Sequence, residues 1–337
     1  MRAIAITPER TLELVDIEPD VVGPGDVRVN VSYCGICGSD LHYLESPDLG
    51  PAGTVMGHEL SGVVVELGTE VVGLAVGDRV TVNPFAFCGA CRPCREGLPN
   101  LCERRPETRL GGLHRRGAFA TSVVVPASTA FPLPDGLSDE HAALAEPLAV
   151  GAHAVALSGT SPDAPVAVLG GGPIGVMTCL ALTGAGFDRV VCVELNAGRR
   201  EQLATYGITT VSGESASTAV PDLLGGDPVT VFDCTGHPSG LTSALDLLGY
   251  TGQVILVGYS VEPAPIPTYR VVAGEISIKG AAIYTHEDFS RAIEQLAAGR
   301  FPSDDVITSV RGFADAQEVF ADLMSGASRQ MKVLLKP

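Results

Sequence analysis

The sequence predicts an α/β protein of two domains, one rich in β-strands and one built on a doubly wound parallel sheet. Three observations support this prediction. The chain has 337 residues, which is more than a single hydrophobic core usually fills. Its first 130 or so residues alternate short β-branched runs, such as DVRVNVSYC and LSGVVVELG, with glycine and proline turns. From Pro165 onward, strand, glycine turn, helix and strand follow one another, which is the pattern of a βαβ unit.

The remaining elements complete this arrangement. A helix is expected from Ser138 to Leu157, because a serine cap precedes alanine and leucine at helical spacing. VTVFDC and GQVILVGY continue the parallel sheet to about Lys279. Two amphipathic helices and a last strand, MKVLLKP, form a tail that we expect to fold back onto the first domain. The predicted bounds are 1–152 and 286–337 for the first domain, with a lobe at 84–104, and 153–285 for the second.

Composition argues against nucleic acids and membranes as partners. The chain has 22 basic and 39 acidic residues, giving a net charge of −17 that repels polyanions and favours a small-molecule partner. The uncharged run from Ala164 to Phe187 is interrupted by three glycines and Pro173, which break a spanning helix. The N-terminus has no apolar run of signal-peptide length, so we expect a cytoplasmic protein. In that compartment nine cysteines point to metal or catalysis before disulfides.

The strongest single motif is a group of four cysteines, Cys88, Cys91, Cys94 and Cys102, at C-x2-C-x2-C-x7-C spacing. Four thiols this close predict a closed tetrahedral zinc site with no position for a substrate. An iron–sulfur cluster can use similar spacing, but the rest of a ferredoxin pattern is missing. We therefore expect a structural zinc that clips a loop poor in apolar residues.

A glycine turn, Gly170, Gly172 and Gly175, follows the strand VAVLG and opens a helix. Such glycines let the backbone approach a pyrophosphate, which the helix N-terminus stabilises. Glu194 at the end of the next strand would accept hydrogen bonds from ribose hydroxyls and repel a 2′-phosphate. NAD is therefore favoured over NADP. Arg199 and Arg200 keep NADP as the alternative, because an arginine can accept that phosphate.

A third constellation is spread along the chain: Cys37, His58 with Glu59, and Glu146. A cysteine, a histidine and a carboxylate can form an open zinc site that keeps a position for water or an alcohol. Each residue also has a plain alternative, namely a buried thiol, a satisfied polar group or a surface carboxylate. Cys34 and Cys37 form a C-x-x-C, which could instead be a redox dithiol.

Five motifs together resemble those of the zinc-containing alcohol dehydrogenases of the medium-chain dehydrogenase/reductase superfamily. In chain order they are GICGSDLH, GHE, the four-cysteine lobe, EPLAVG and GGGPIG. The resemblance covers essentially the whole chain. It implies a GroES-like catalytic domain, a Rossmann domain, and hydride transfer between NAD and an alcohol assisted by one catalytic zinc beside the structural one. It also implies a homo-oligomer, a dimer or a tetramer.

The resemblance assigns roles to individual residues. Cys37 and His58 correspond to zinc ligands, while Glu59 and Glu146 compete for the remaining carboxylate position. Ser39 corresponds to the hydroxyl that passes on the substrate proton, Asp40 to the carboxylate that orients the zinc histidine, and His42 to an extension of the relay towards solvent; Cys34 is a packed bystander. The expected cofactor-binding residues are Gly170, Gly172, Pro173, Ile174, Gly175, Glu194, Arg199, Thr235, Val257, Gly258 and Tyr259.

Glu146 stands where the primary-alcohol branch of the family usually has a cysteine, so the resemblance favours the branch of sorbitol, 2,3-butanediol and threonine dehydrogenases. Secondary alcohols and vicinal diols are the expected substrates, with polyols and amino alcohols as alternatives. The segment KGAAIYTHEDF has Ile283 and Tyr284 where sorbitol-type enzymes have an arginine, which weakens the long-polyol interpretation. Three rival hypotheses are a zinc-free quinone reductase, a thiol oxidoreductase using Cys34 and Cys37, and a zinc-binding interaction module with a vestigial cleft.

Overall fold

The computed structural model describes residues 1–337 and falls into two compact units. One unit consists of Met1–Glu146 together with Val306–Pro337, and the other of Pro147–Asp305. The first is dominated by antiparallel strands and the second by a parallel sheet with helices. The predicted α/β fold class is therefore confirmed. No helix is both long enough and apolar enough to cross a lipid bilayer.

The first unit begins with strands and short helices. The strands are β1 (Arg2–Ile6), β2 (Leu12–Asp16), β3 (Asp26–Gly35), β4 (Glu59–Leu67), β5 (Arg79–Val82), β6 (Ser122–Pro126) and β7 (Ala130–Pro132). The helices are α1 (Gly38–Glu45), α2 (Arg92–Arg95), α3 (Arg105–Thr108) and α4 (Asp139–Ala142). β1 and β2 pair with each other, while β3 pairs antiparallel with both β4 and β6.

The next helix, α5 (Ala145–Ser158), is separate from α4, whereas the sequence predicted one helix from Ser138 to Leu157. Pro147 explains the break. A proline inside a helix clashes with the carbonyl four residues earlier, here that of Ala143, but it is tolerated in the first turn of a new helix. The chain therefore interrupts the helix at Ala143 and restarts it two residues later.

The second unit holds six parallel strands. They are β8 (Val166–Leu169), β9 (Val190–Val193), β10 (Thr210–Val211), β11 (Thr230–Asp233), β12 (Gln253–Leu256) and β13 (Ser277–Gly280). The helices are α6 (Pro173–Gly184), α7 (Ala197–Thr205), α8 (Ala216–Leu224), α9 (Pro238–Leu247), α10 (Thr268–Gly274), α11 (His286–Ala297) and α12 (Ser303–Val306). The strand order β10-β9-β8-β11-β12-β13 runs outward in both directions from β8 and β11. Such a reversal of strand order is where doubly wound sheets bind ligands.

The C-terminal segment returns to the first unit. It contains β14 (Ile307–Gly312), α13 (Ala316–Met324) and β15 (Lys332–Lys336). β15 pairs with β14 on one side and antiparallel with β3 on the other, with Leu334 opposite Gly35. Phe320 of α13 packs edge-on against Phe119 with ring centroids 6.0 Å apart, and both rings are fully buried. The last residues therefore complete both the sheet and the core of this unit.

Candidate active site

Three potential metal ligands meet at one end of the β3–β4 pair. Gly35 at the end of β3 lies opposite Glu59 at the start of β4. Cys37 follows Gly35 by two residues and His58 immediately precedes Glu59, so the pairing brings all three to one place. One ligand atom each of Cys37, His58 and Glu59 lies within 4.8 Å of the other two. A thiolate, an imidazole and a carboxylate fit zinc and leave a fourth position open.

Gly35 makes room for this group. A Cβ atom at position 35 would lie 2.1 Å from Oε2 of Glu59 and 3.2 Å from its Cδ. Any side chain at Gly35 would therefore displace the Glu59 carboxylate.

Asp40 supports the group from α1. Its carboxylate accepts a hydrogen bond from the backbone N–H of Cys37 at 2.9 Å and from that of Gly57 at 3.3 Å. Oδ1 of Asp40 lies 3.6 Å from Nδ1 of His58, an ion-pair distance, and both side chains are buried. Burial disfavours a charged imidazole, but the Asp40 carboxylate outweighs that penalty and raises the pKa of His58 well above its ordinary value. Nδ1 of His58 is buried without a hydrogen-bond partner, so Asp40 is placed to orient the ring by charge.

A buried ion pair holds Glu59. Nζ of Lys332 donates to both carboxylate oxygens of Glu59 at 2.7 Å and to the carbonyl oxygen of Ile36 at 3.1 Å. Burial opposes the lysine charge, but the Glu59 carboxylate outweighs it and raises the pKa of Lys332. Glu146 is also buried, and its charge acts on Lys332, but it lies outside the group of three ligands. Of the two carboxylates that the resemblance left open, the geometry favours Glu59.

Ser39 and His42 lie on α1 directly after Cys37. Oγ of Ser39 accepts a hydrogen bond from Nη2 of Arg109 at 3.1 Å. His42 lies one turn further along the helix, and its side chain is 65% exposed, with Nδ1 3.7 Å from the Glu45 carboxylate. Residues three apart share one helix face. Ser39 and His42 thus run from the ligand group towards solvent.

The four cysteines of the lobe form a second metal-binding group. All four Sγ atoms lie within 4.8 Å of one another, with Cys88 and Cys94 4.0 Å apart and Cys91 and Cys102 3.9 Å apart. A tetrahedral zinc with Zn–S bonds of about 2.3 Å requires sulfurs about 3.8 Å apart. None of the four forms a disulfide. The cluster therefore fits the predicted closed zinc site.

The thiols of this cluster differ in acidity. Hydrogen bonds from the N–H groups of Ala90 and Cys91 lower the pKa of Cys88 to about 6. Burial and the neighbouring thiols raise the pKa of Cys94 to about 12. A bare cluster therefore cannot ionise all four thiols at neutral pH, and a cation is needed to hold them together as thiolates.

The glycine turn lies where the strand order reverses, after β8. Gly170 has φ +88°, which a residue with a side chain rarely adopts. A Cβ atom at Gly175 would lie 1.8 Å from the carbonyl oxygen of Gly170, so α6 can approach the turn only with glycine there. Glu194 is buried, and its carboxylate accepts hydrogen bonds from the N–H groups of Gly171 and Asn196, both at 2.7 Å. Pro173 and Ile174 form the first turn of α6.

The other predicted cofactor residues lie at the ends of the two strands beyond β8. Thr235 follows β11, donates to the Asp233 carboxylate at 2.7 Å, and contacts the space beside Gly170. The backbone N–H groups of Val257 and Gly258, after β12, both donate to the Asp233 carbonyl at 2.9 Å. Tyr259 follows with an exposed ring. These residues therefore share one edge of the sheet with the glycine turn.

Two arginines stand beside this edge. Nη1 of Arg200 donates to the carbonyls of Glu194 and Leu195, both at 2.8 Å. Nη1 of Arg199 lies 3.8 Å from where a Cβ of Gly172 would be, and its guanidinium makes no hydrogen bond or ion pair. Arg199 is thus the cation free to meet a phosphate.

Sequence reasoning missed two residues of the first unit. Lys332 is a charged residue at the head of the apolar strand MKVLLKP, a pattern that could have indicated a buried ion pair. Arg109 carries no such signal, because its contacts with Ser39 and Tyr43 join residues 70 and 66 positions apart. Tyr284, which the sequence analysis singled out in KGAAIYTHEDF, is fully buried and packs against Phe289.

Comparison with known proteins identifies dehydrogenases by family models, by sequence and by structure. The family model for the alcohol dehydrogenase GroES-like domain matches residues 23–135, and that for zinc-binding dehydrogenases matches residues 173–298. The chain is 32% identical over 329 residues to 2-dehydro-3-deoxy-L-galactonate 5-dehydrogenase of Pseudoalteromonas atlantica, covering 95% of this chain and 94% of that protein. It is 30% identical over 320 residues to D-xylulose reductase A of Aspergillus niger, covering 91% and 89%. The structure of 2R,3R-butanediol dehydrogenase from Bacillus subtilis superposes with a TM-score of 0.90 at 32% identity, covering 100% and 99%.

Proposed function

Because the chain belongs to the zinc-binding alcohol dehydrogenases with a GroES-like domain, we propose that it transfers a hydride between NAD(H) and a secondary alcohol or vicinal diol. The observation that carries the proposal is the meeting of Cys37, His58 and Glu59 within 4.8 Å. Such an open site beside a helix hydroxyl suits alcohol oxidation better than a purely structural metal. The three relatives act, by their names, on a sugar acid, a ketopentose and a vicinal diol, and all three support a carbon chain rich in oxygen.

We propose that Cys37, His58 and Glu59 hold the catalytic zinc. Glu59 can do so while paired with Lys332, since a carboxylate has about four lone-pair sites. When bound, zinc supplies the Lewis acidity that lowers the pKa of a hydroxyl group near it. Asp40 keeps the His58 ring in place, and Glu146 supports the charge balance of the site.

Side chains of the protein then remove the substrate proton and bind the cofactor. Ser39 takes up the proton of the reacting hydroxyl on Oγ while it gives up its own hydroxyl proton, and the exposed His42 on the same helix face releases that proton to solvent. NAD supplies the hydride acceptor, and the glycine turn with Glu194 binds its phosphates and ribose. The unpaired guanidinium of Arg199 keeps NADP as an alternative to NAD.

The decisive assay measures reduced nicotinamide with a panel of secondary alcohols, diols, polyols and amino alcohols, each with NAD and with NADP. Zinc-replete protein should contain about two zinc ions per chain. Cys37→Ser should lose one of them and all turnover while it still folds and binds NADH. Cys34→Ala is the matched control, because Cys34 is fully buried and lies outside the ligand group; it should keep both zinc ions and activity.

The contrary outcomes are specific. Protein with one zinc and no turnover on any substrate supports the zinc-binding interaction module instead. Protein without zinc supports the quinone reductase or thiol oxidoreductase hypotheses. Equal zinc loss in Glu59→Gln and Glu146→Gln would overturn the choice of Glu59.

A cytoplasmic location and a homo-oligomer also remain proposals. The location is supported by nine cysteines, none of which forms a disulfide. The oligomer is supported by β13, an edge strand with exposed residues that pairs only with β12. Light scattering of the zinc-replete protein tests it, and a monomer would contradict it.

A further inference from the structure

Arg109 is a cation held beside the serine of the proposed site. It directly follows α3, and its side chain is only partly exposed. Nη2 donates to Oγ of Ser39 and Nη1 to the hydroxyl of Tyr43, both at 3.1 Å. The guanidinium carbon also lies 5.2 Å from the centre of the Tyr43 ring, a cation–π distance. Three contacts thus fix the orientation of this guanidinium.

The Arg109 guanidinium forms no ion pair in the chain, although against the effect of burial its charge, after that of His58, helps to lower the pKa of the buried Asp40 carboxyl. Its hydrogen bonds go only to two hydroxyl groups, and no carboxylate oxygen lies within 4.0 Å of its nitrogens. Nε is buried without a partner. A guanidinium has five N–H donors, so three remain unused. A partly buried cation without a counter-ion in direct contact is costly, which indicates that an anion completes it.

Two further cations that contact α1 or the ligand group already have partners. Arg10 donates to the backbone carbonyls of Leu44, Gly50 and Tyr43 at the far end of α1. Lys332 is paired with Glu59. One unpaired guanidinium suits a single negative charge, because a phosphate dianion calls for more donors than this site offers.

We infer that Arg109 binds a carboxylate of the substrate, so that the preferred substrates are hydroxy acids whose reacting secondary alcohol lies a few carbons from the acid group. This inference rests on the proposed function, in which Ser39 contacts the reacting hydroxyl. Nη2 of Arg109 lies 3.1 Å from Oγ of Ser39, so a hydroxyl about 2.7 Å from that Oγ and a carboxylate oxygen about 2.8 Å from Nη2 can lie no more than roughly 8.6 Å apart. Aldonates of about four to six carbons meet this limit.

Matched substrates test the inference on the zinc-replete, full-length enzyme with NAD. Each C4 to C6 aldonate is compared with the alditol of the same configuration, which differs only in having a neutral terminal carbon. The wild type should show a kcat/KM for the best aldonate at least about tenfold above that of its alditol. Arg109→Gln should lower the aldonate value on the order of 10- to 100-fold, mainly through KM, and change the alditol value less than about threefold. The kcat/KM of Arg109→Lys for the aldonate should lie between that of the wild type and that of Arg109→Gln.

Arg104→Gln is the matched control. Arg104 lies in the same segment, pairs with Glu107 at 3.1 Å and is 64% exposed, so its loss removes one positive charge without touching Ser39. The ratio of aldonate to alditol should stay unchanged in this variant. Circular dichroism checks that the variants fold.

A binding measurement separates recognition from turnover. Calorimetric titration of the zinc-replete NADH complex with the best aldonate, which cannot be oxidised while the bound cofactor is reduced, should show binding that Arg109→Gln weakens about tenfold or more and Arg104→Gln leaves intact. The same affinity in all three proteins would overturn the inference.

The possible outcomes distinguish failure of this inference from failure of the proposed dehydrogenase function. An enzyme that oxidises alditols or diols better than aldonates keeps the proposed function and refutes the role of Arg109. Equal losses on both substrates in Arg109→Gln would mean that the arginine only positions Ser39. Preference for an alditol phosphate over the aldonate would refute carboxylate recognition. No turnover with any alcohol refutes the proposed function itself.

Discussion

Lys332→Met tests the buried ion pair that underlies the proposed metal site. Methionine keeps most of the volume of the lysine stem, so the packing of β15 is largely preserved. The ammonium group, however, makes three contacts, to both oxygens of Glu59 at 2.7 Å and to the Ile36 carbonyl at 3.1 Å. Both partners are buried, so no water replaces these contacts.

The expected cost follows from leaving a carboxylate buried alone. Removing one partner of a buried ion pair typically costs about 3–5 kcal/mol. We therefore expect the free energy of unfolding of metal-free Lys332→Met to fall by about that amount. Zinc bound to Glu59 would replace part of the lost charge, so the deficit should shrink in zinc-replete protein.

Denaturant titration with chelator and with zinc measures both values. Lys336→Met is the matched control, because Lys336 ends the same strand and is exposed; its effect should stay below about 0.5 kcal/mol. Glu59→Gln combined with Lys332→Met should recover part of the loss, since the buried charge is gone. A loss below about 1 kcal/mol in Lys332→Met without metal would refute the reasoning.

Three further predictions concern the second unit. Burial opposes ionisation of Asp288, but its hydrogen bond from His153 at 2.9 Å lowers the pKa of Asp288. Asp288→Asn should therefore cost about 1–3 kcal/mol at pH 7, a difference that urea titrations should show disappearing as the pH falls below about 4; a constant difference contradicts this. Gly175→Ala should abolish NADH binding, measured by fluorescence, and lower stability by about 1–3 kcal/mol, because its Cβ would meet the Gly170 carbonyl at 1.8 Å; normal binding would be the contrary result. Glu194→Gln should reduce the preference for NAD over NADP in kcat/KM by about tenfold, and an unchanged ratio argues against charge repulsion.

The fold was predictable from sequence because its signals are local. Alternating apolar residues in DVRVNVSYC and LSGVVVELG gave β3 and β4, and the glycine turn placed the parallel sheet. The break between α4 and α5 was missed, although Pro147 carried the signal, because the apolar spacing continues across it.

The candidate site was predictable only in part. The resemblance indicated Cys37, His58 and Glu59, and the register of β3 against β4 is what brings them within reach. The pair of Glu59 and Lys332 joins residues 273 positions apart, and no local pattern encodes such a contact. The position of Arg109 beside Ser39 and Tyr43 depends on the path of a loop, and the spacing of apolar residues does not predict the path of a loop.

The contact between Gly35 and Glu59 also constrains how this protein can evolve. A new side chain at position 35 would occupy the space of the Glu59 carboxylate, at 2.1 Å from Oε2. Lineages that keep Glu59 can therefore accept no replacement at Gly35. Once Glu59 has been shortened, position 35 can drift to a larger residue, and the glutamate then cannot return by a single mutation. Loss of Glu59 would then be a one-way step, because the space for its carboxylate would already be filled.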